Sequence, residues 1–483
     1  MAGRVAVGQA GTGGVAFAGG RLRWWDGFVL ALTMPAALIA TLGYSIGALG
    51  AWAAVVLWGI SMLIATAANW LYAELAGMFP GTSGGISLYA AEGWRSRAPL
   101  LGPVGAFGYW FAWSSSLAVY AEIIGAIVHD RWWSGADPDA IAAGALVAVW
   151  LPNVLGIQPT IRLARLTAAM LLVPLAVLCV GPWLSGDWQA SNLSWGLGHD
   201  GLKVAIVWLY VMLWTSLGVE TCATFAPEYR DPVRDTARAL RASALFSLAV
   251  FVLLPLGTAG VVGERAAVED PVGFYATALE AIVPGLADAM LVLVIGGLVL
   301  VMNTCLADSS RALYGVAEAG MTVSQLAHRN RFGAPDRCLS VDLVVNLALV
   351  LVVGSLLAIL AAGNLGYLLS HVLALSAFVL LRRDRPRSPR PIRGPAGAAW
   401  LAGALAIALA VVLVVGAVSF DITGYGGAEE LLIALGVLSI SLVLYAVRLT
   451  QNVRPVIPPP PPTARPAPSG HGGTPPRRSG RAG

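Results

Sequence analysis

A glutamate two residues beyond a glycine, inside a stretch otherwise apolar enough for a membrane helix, is where this 483-residue chain most invites a chemical reading. Tyr210 to Pro232 reads YVMLWTSLGVETCATFAPEYRDP, so that Trp214, Leu217 and Gly218 lead into Glu220 and a run of small and polar residues. In hydrocarbon, an ionised carboxylate and an interrupted backbone are each costly unless they face protein or water. The stretch therefore reads in two ways: a helix with a tolerated glycine and a hydrogen-bonded glutamate, or a helix broken around a binding site. Asp308 and Arg311 lie three apart on one helical face, where they could pair with each other and close a gate. Glu122 follows the aromatic and serine-rich stretch Tyr109 to Ser116, and either faces a vestibule or snorkels. Gly81-Thr82-Ser83-Gly84-Gly85 fits G-x-S-x-G and, with His371 far along the chain, would suggest a serine nucleophile. That motif needs a strand before it and a helix after it, whereas here a helix precedes a loop. Among 56 glycines a five-residue match carries little weight, and no catalysis is expected at Ser83.

The elements that must position these residues are membrane helices. The chain is 57% hydrophobic and 12% charged, so a soluble globule would have nowhere to put its apolar surface. Twelve apolar stretches can cross a core of about 30 Å. They fall near residues 26–49, 52–78, 101–128, 139–156, 163–184, 203–226, 240–262, 286–312, 340–361, 364–381, 398–419 and 429–448. With the N-terminus in the cytoplasm, only Arg131, Lys203 and Arg265 of the 30 Lys and Arg residues fall outside. The pI of about 9.0 then reflects topology and a membrane surface rather than nucleic acid. Residues 1–22 and the proline-rich basic tail 451–483 read as disordered cytoplasmic segments.

The first span contains Thr33-Met34-Pro35. Proline removes a donor and clashes with the carbonyl of Ala31, so the helix breaks or kinks near residues 31–35. An ordinary proline kink would satisfy the same residues. Four cysteines without paired spacing suggest neither disulfides nor zinc. The only lysine, Lys203, follows leucine, so there is no phosphate-binding loop, no cofactor is expected, and energy must come from a gradient or an exchange partner.

W-x-x-x-G-V-E at Trp214–Glu220, followed by A-x-x-x-E-x-x-x-P, resembles the sixth helix of the amino acid–polyamine–organocation (APC) transporters. Tyr72-Ala73-Glu74-Leu75 with Phe79-Pro80 and Gly84-Gly85 resembles the family's Y-A-E-L-x-x-x-F-P-x-x-G-G-x-Y loop. There Glu74 is expected to pair with a loop arginine or cap a helix. Glu228 to Asp235 and Ser310 to Gly320 resemble two further family stretches, E-x-x-x-P-x-R-D and S-R-x-L-Y-x-x-A-x-x-G, with Glu318 where arginine is common. In the first span the family's glycine-rich break is replaced by Ala36, Ala37, Leu38 and Ile39. Either Pro35 makes the break or it moves to Gly43-Tyr44-Ser45. On the fifth span, where some proton-coupled relatives carry a lysine, the matching position is Met170.

The resemblance implies an all-α fold of twelve spans: a five-plus-five inverted repeat, residues 23–184 and 202–383, with discontinuous helices 1 and 6, and two added helices at 398–450. It implies secondary transport of an amino acid or related amine across the plasma membrane, with Pro35, Ala36, Ala37, Leu38, Trp214, Leu217, Gly218 and Glu220 around the substrate. Helix ends at the breaks would hold a carboxylate, and exposed carbonyls with Glu220 an ammonium. Trp214 resembles the aromatic of arginine–agmatine exchangers and would cover the ligand. Glu122, Glu220, Asp308 and Arg311 would serve gating or coupling, with a proton or a counter-substrate as partner. A polyamine exchanger and a non-transporting sensor are the other functions this fold would suit.

Overall fold

A computed structural model describes residues 20–197, 201–271, 273–353, 356–419, 422 and 427–451. Most of the two expected tails, 1–22 and 451–483, lies outside the described residues. In chain order the helices are α1 (Trp24–Ala31), α2 (Thr33–Leu49), α3 (Ala51–Met78), α4 (Gly85–Trp94), α5 (Leu101–Arg131), α6 (Pro138–Val154), α7 (Ile157–Ser185) and α8 (Gly201–Leu217). They continue as α9 (Pro232–Val262), α10 (Glu264–Glu269), α11 (Phe274–Ile282), α12 (Ala287–Glu318), α13 (Asp336–Ala348), α14 (Leu356–Asp384), α15 (Ala398–Val418) and α16 (Ala428–Thr450). Among the described residues there is no strand, and one isolated parallel bridge joins Leu22 to Tyr229.

Nine helical segments among the described residues are long and apolar enough to cross a membrane, ten if the bent pair α1–α2 is one span. The protein is a multi-pass helical membrane protein. Two of the twelve expected spans take a different form. Near 139–156 stands α6, a 17-residue helix with Pro152 inside it. The stretch 340–361 is shared between α13, a π turn at Leu349–Val353 and the start of α14, with residues 354–355 outside the described ones. Burial follows position in the bundle. α5, α12 and α14 are the most enclosed segments, whereas α15 and α16 turn Trp400, Ile407, Val414, Leu432 and Leu449 outward. Apolar side chains on that face are what lipid requires.

Two interruptions shape the interior. Between α1 and α2 the helix gives way for one residue, Leu32, three before Pro35, and the span bends by 46° between Ile39 and Thr41. Gly43-Tyr44-Ser45 stays helical, so the one-residue turn at Leu32 falls at the first of the two expected break sites, while the 46° bend at residue 40 falls at neither. α8 ends at Leu217, and Gly218–Ala223 and Ala226–Glu228 follow as 3₁₀ turns. The sixth span thus never returns to a regular α-helix before Asp231 caps α9 through the Arg234 N–H, 3.0 Å away.

The two interrupted spans are joined at the arginine-rich end. Arg21 and Leu22 N–H groups donate to the Glu228 carbonyl, and Arg230 N–H returns a bond to Leu22. Nearby, Arg165 holds Asp26 at 2.5 Å, fixing the start of α1 against α7. The turn Gly84-Gly85, both at positive φ, brings α4 against the sixth span, where a Cβ on Gly85 would lie 2.9 Å from Thr224 Oγ1. α5 and α14 approach most closely at Gly108 and Gly366, whose backbones touch; a Cβ on either would sit under 3 Å from the other's Cα. Glu74 meets Arg382 at 2.6 Å and Arg390 at 3.2 Å, the loop-arginine partnership expected of it.

Candidate functional site

Beside both interruptions lies a narrow pocket with room for little more than a water molecule. α2 contributes Met34 and Ala37; α8 contributes Trp214 and Thr215, with Gly218 just beyond it; α12 contributes Val301 and Cys305; α14 contributes Tyr367. From α5 come Ala112, Trp113, Ser116 and Tyr120. Tyr109, Trp113, Ser116 and Tyr120 recur at helical spacing, which puts them on one face of α5. Trp214 and Tyr120 stand with ring planes 4° apart and centroids 6.5 Å apart. No lining side chain carries a formal charge.

Glu220 lies one layer behind this wall and is fully buried. Its Oε1 accepts from the Tyr367 hydroxyl at 2.8 Å and its Oε2 from Tyr109 at 3.1 Å. His371 brings Nε2 to 3.9 Å from Oε1, beyond hydrogen-bond reach, while its Nδ1 is 2.9 Å from the Tyr72 hydroxyl. The Tyr109 hydroxyl also lies 2.8 Å from Oδ2 of Asp308, whose Oδ1 accepts from Thr221 at 3.1 Å. The two carboxylates therefore meet at one phenol.

Of the residues expected around a substrate, Ala37, Trp214 and Gly218 line the cavity. Pro35, Ala36, Leu38 and Leu217 are buried but outside its lining, and Glu220 reaches it through Tyr367. At Gly218 the neighbouring space is occupied: a Cβ there would come within 2.2 Å of Met34 Sδ. The expected Asp308–Arg311 pair does not form. Arg311 folds back to the Ala307 carbonyl at 2.9 Å, meets Glu228 at 2.5 Å and lies over the Phe225 ring, while Asp308 is served by hydroxyls. Glu122 sits apart and partly buried on α5, its Oε1 without a hydrogen-bond partner. Ser83 and His371 do not meet: the Ser83 hydroxyl donates to the Thr224 and Arg311 carbonyls.

Tyr109, Tyr367, Trp113, Tyr120 and Met34 are site residues that no sequence motif singles out. The four-residue rhythm on α5 was the available signal. Nothing local marked Tyr367, which reaches Glu220 from 147 residues away.

Long apolar helices, two interrupted spans and an aromatic-lined pocket beside them define a multi-pass helical membrane protein with a candidate binding site at its broken helices. The amino acid permease family model matches residues 22–442, and the chain belongs to that family, within the APC superfamily. It is 27% identical to the amino-acid permease RocE of Bacillus subtilis over 289 residues, 56% of this chain and 60% of that protein. It is also 27% identical to the polyamine transporter PUT1 of Oryza sativa subsp. japonica, over 83% of this chain and 72% of PUT1. An uncharacterized transporter of Mycobacterium tuberculosis matches at the same identity over 72% of this chain and 79% of its own.

Proposed function

We propose that this protein is a secondary transporter that carries an amino acid or a related amine across the plasma membrane by alternating access. Both termini lie in the cytoplasm, where nearly all the arginines then fall. The observation that carries the reading is the aromatic-lined pocket that both interrupted spans border, where a widening of the bundle would admit a small molecule. Its walls suit an apolar or aromatic body beside Tyr120 and Trp214, with cation–π attraction for an amine. The architecture read with it is a twelve-span, five-plus-five inverted repeat. Residues 23–184 and 202–383 are the two halves, their first helices interrupted, and 398–450 supplies the added pair. Energy comes from a proton or from an exchanged counter-substrate.

A polyamine exchanger is the second reading, favoured by the similarity to PUT1. Against it stands the lining, which offers no carboxylate directly to a second ammonium group. Thermal stabilisation of the purified protein across amino acids, putrescine and spermidine tests both. A zwitterionic amino acid should raise the melting temperature, and Trp214→Ala should abolish that rise. Stabilisation by diamines alone would favour the exchanger; no stabilisation by any compound in the panel would sink both and leave a non-transporting sensor.

A further inference from the structure

Three oxygens in the interior are one hydrogen short. Tyr109 Oη lies 3.1 Å from Glu220 Oε2 and 2.8 Å from Asp308 Oδ2, yet a phenol has a single proton to donate. If both carboxylates were ionised, one of these contacts would set oxygen against oxygen without hydrogen, in a site from which water is excluded. Both become hydrogen bonds once one carboxyl carries a proton. Glu220 then donates from Oε2 to Tyr109, Tyr109 donates to Asp308, and Asp308 also accepts from Thr221.

Among the described residues one positive charge acts on the pair, and it is shared. Arg311, the nearest guanidinium, is engaged by Glu228, and His371 stays 3.9 Å from Glu220 with Nε2 unpartnered. Asp342, on α13, is a third buried carboxylate, already held by Trp110 Nε1 and Ser309 Oγ at 2.8 Å each. The remaining titratable neighbours are phenols and thiols: Tyr367 on α14, Tyr72 on α3, Tyr89 on α4, and Cys222 and Cys305 beside the two carboxylates. None of them supplies a positive charge. Of the other buried carboxylates, Asp26, Glu74, Glu92 and Glu228 each have an arginine, and Asp235 accepts from the Asp231 N–H.

We infer that Glu220 and Asp308 share one exchangeable proton across Tyr109, and that this proton is the ion whose movement is coupled to transport. The second half rests on the transporter reading above; the first does not. The proton ties the 3₁₀ segment of the sixth span to α5 and α12. Its loss leaves two carboxylates competing for one donor and favours a state in which that segment has moved away and water has entered.

Amide substitution makes this testable, because an amide supplies the missing hydrogen permanently. In Glu220→Gln or Asp308→Asn, the new N–H₂ group donates to Tyr109 Oη, and Tyr109 donates to the remaining carboxylate, which needs no proton. The protein in liposomes at neutral pH should show an infrared band from a protonated carboxyl, shifted in D₂O and absent from both variants. A band that persists unchanged in both, or is missing from the wild type, overturns the shared proton. Uptake of labelled amino acids and putrescine into the same liposomes should rise with an inward proton gradient for the wild type. In Asp308→Asn, whose side chain does not line the cavity, the gradient should give no increase. Full gradient dependence in that variant overturns the coupling role. Tyr109→Phe, which removes the bridge without adding an amide, provides a second loss of gradient dependence should Asp308→Asn fold poorly. If the wild type takes up no compound in the panel, the transporter reading and the coupling role fall together, and the infrared test still decides whether the proton is there.

Discussion

Met34 and Gly218 show how closely the two interrupted spans depend on each other. The thioether fills the place a side chain at 218 would take, and both residues border the cavity. Gly218→Leu should therefore drive Met34 towards the cavity and abolish stabilisation by ligand, while adding Met34→Ala should restore part of it. Melting curves with and without the stabilising compound check this, and failure of the second change to help would mean that Gly218 is needed for backbone conformation instead. Ser83→Ala should cost about 0.5–1.5 kcal/mol, the value of a hydrogen bond, leave transport intact, and give a protein as inert to a fluorophosphonate probe as the wild type. Stoichiometric labelling of the wild type, lost in the variant, would instead revive a nucleophilic serine. Glu220 was legible in the sequence because a carboxylate beside a glycine in an apolar run is conspicuous. Its two phenol partners were not, since Tyr109 and Tyr367 come from spans that only folding brings together.

Among elements, the join between the sixth span and α12 rests on a buried ion pair. Arg311 and Glu228 are both under 5% exposed and meet at 2.5 Å. Removing one partner of such a pair strands the other charge, at a cost of about 3–5 kcal/mol, so Glu228→Ala should lower stability by that order. Replacing both by apolar residues of similar volume should cost much less; equal losses in the single and double variants would show that the pair is not the source. Spacing along α12 suggested that Arg311 would serve Asp308, three residues away. It missed the competitor because Glu228 arrives from the irregular segment after Gly218, whose path no periodicity describes. Pro35 was informative for the opposite reason: the missing donor and the ring clash act locally, and the interruption at Leu32 lies within the expected turn.

For the whole molecule, composition was enough to establish a helical membrane protein, but not to delimit every span. At 139–156 and 340–361 hydropathy ran on across a short helix and a π turn. The face opposite the arginine-rich end is held by Glu264, which accepts from the Ala51 and Ser194 N–H groups at 2.7 and 2.5 Å and from the Ser194 hydroxyl at 2.6 Å. Burial alone would raise its pKa, but these donors outweigh it and hold the carboxyl below its usual range. A depressed folded-state pKa means that the staple contributes fully above the unfolded value, about 4.3, and is lost as pH falls through the folded one. Glu264→Gln should accordingly melt lower than the wild type at neutral pH, with the gap closing in strong acid. A gap independent of pH would show that the carboxylate's charge plays no part.

The contact between Gly108 and Gly366 has a consequence for how this machine can move. Each glycine immediately precedes one of the two phenols that hold Glu220, and the backbones there touch with no side chain between them. Sliding either helix by a single residue would drive a side chain into the other's backbone, so the contact opposes sliding of α5 against α14. The hydroxyls of Tyr109 and Tyr367 are thus mounted on one tightly packed pair of helices. Alanine at either glycine would act as a wedge, widening the frame by a methyl group and detuning the receptor for Glu220 without touching any residue that contacts cargo.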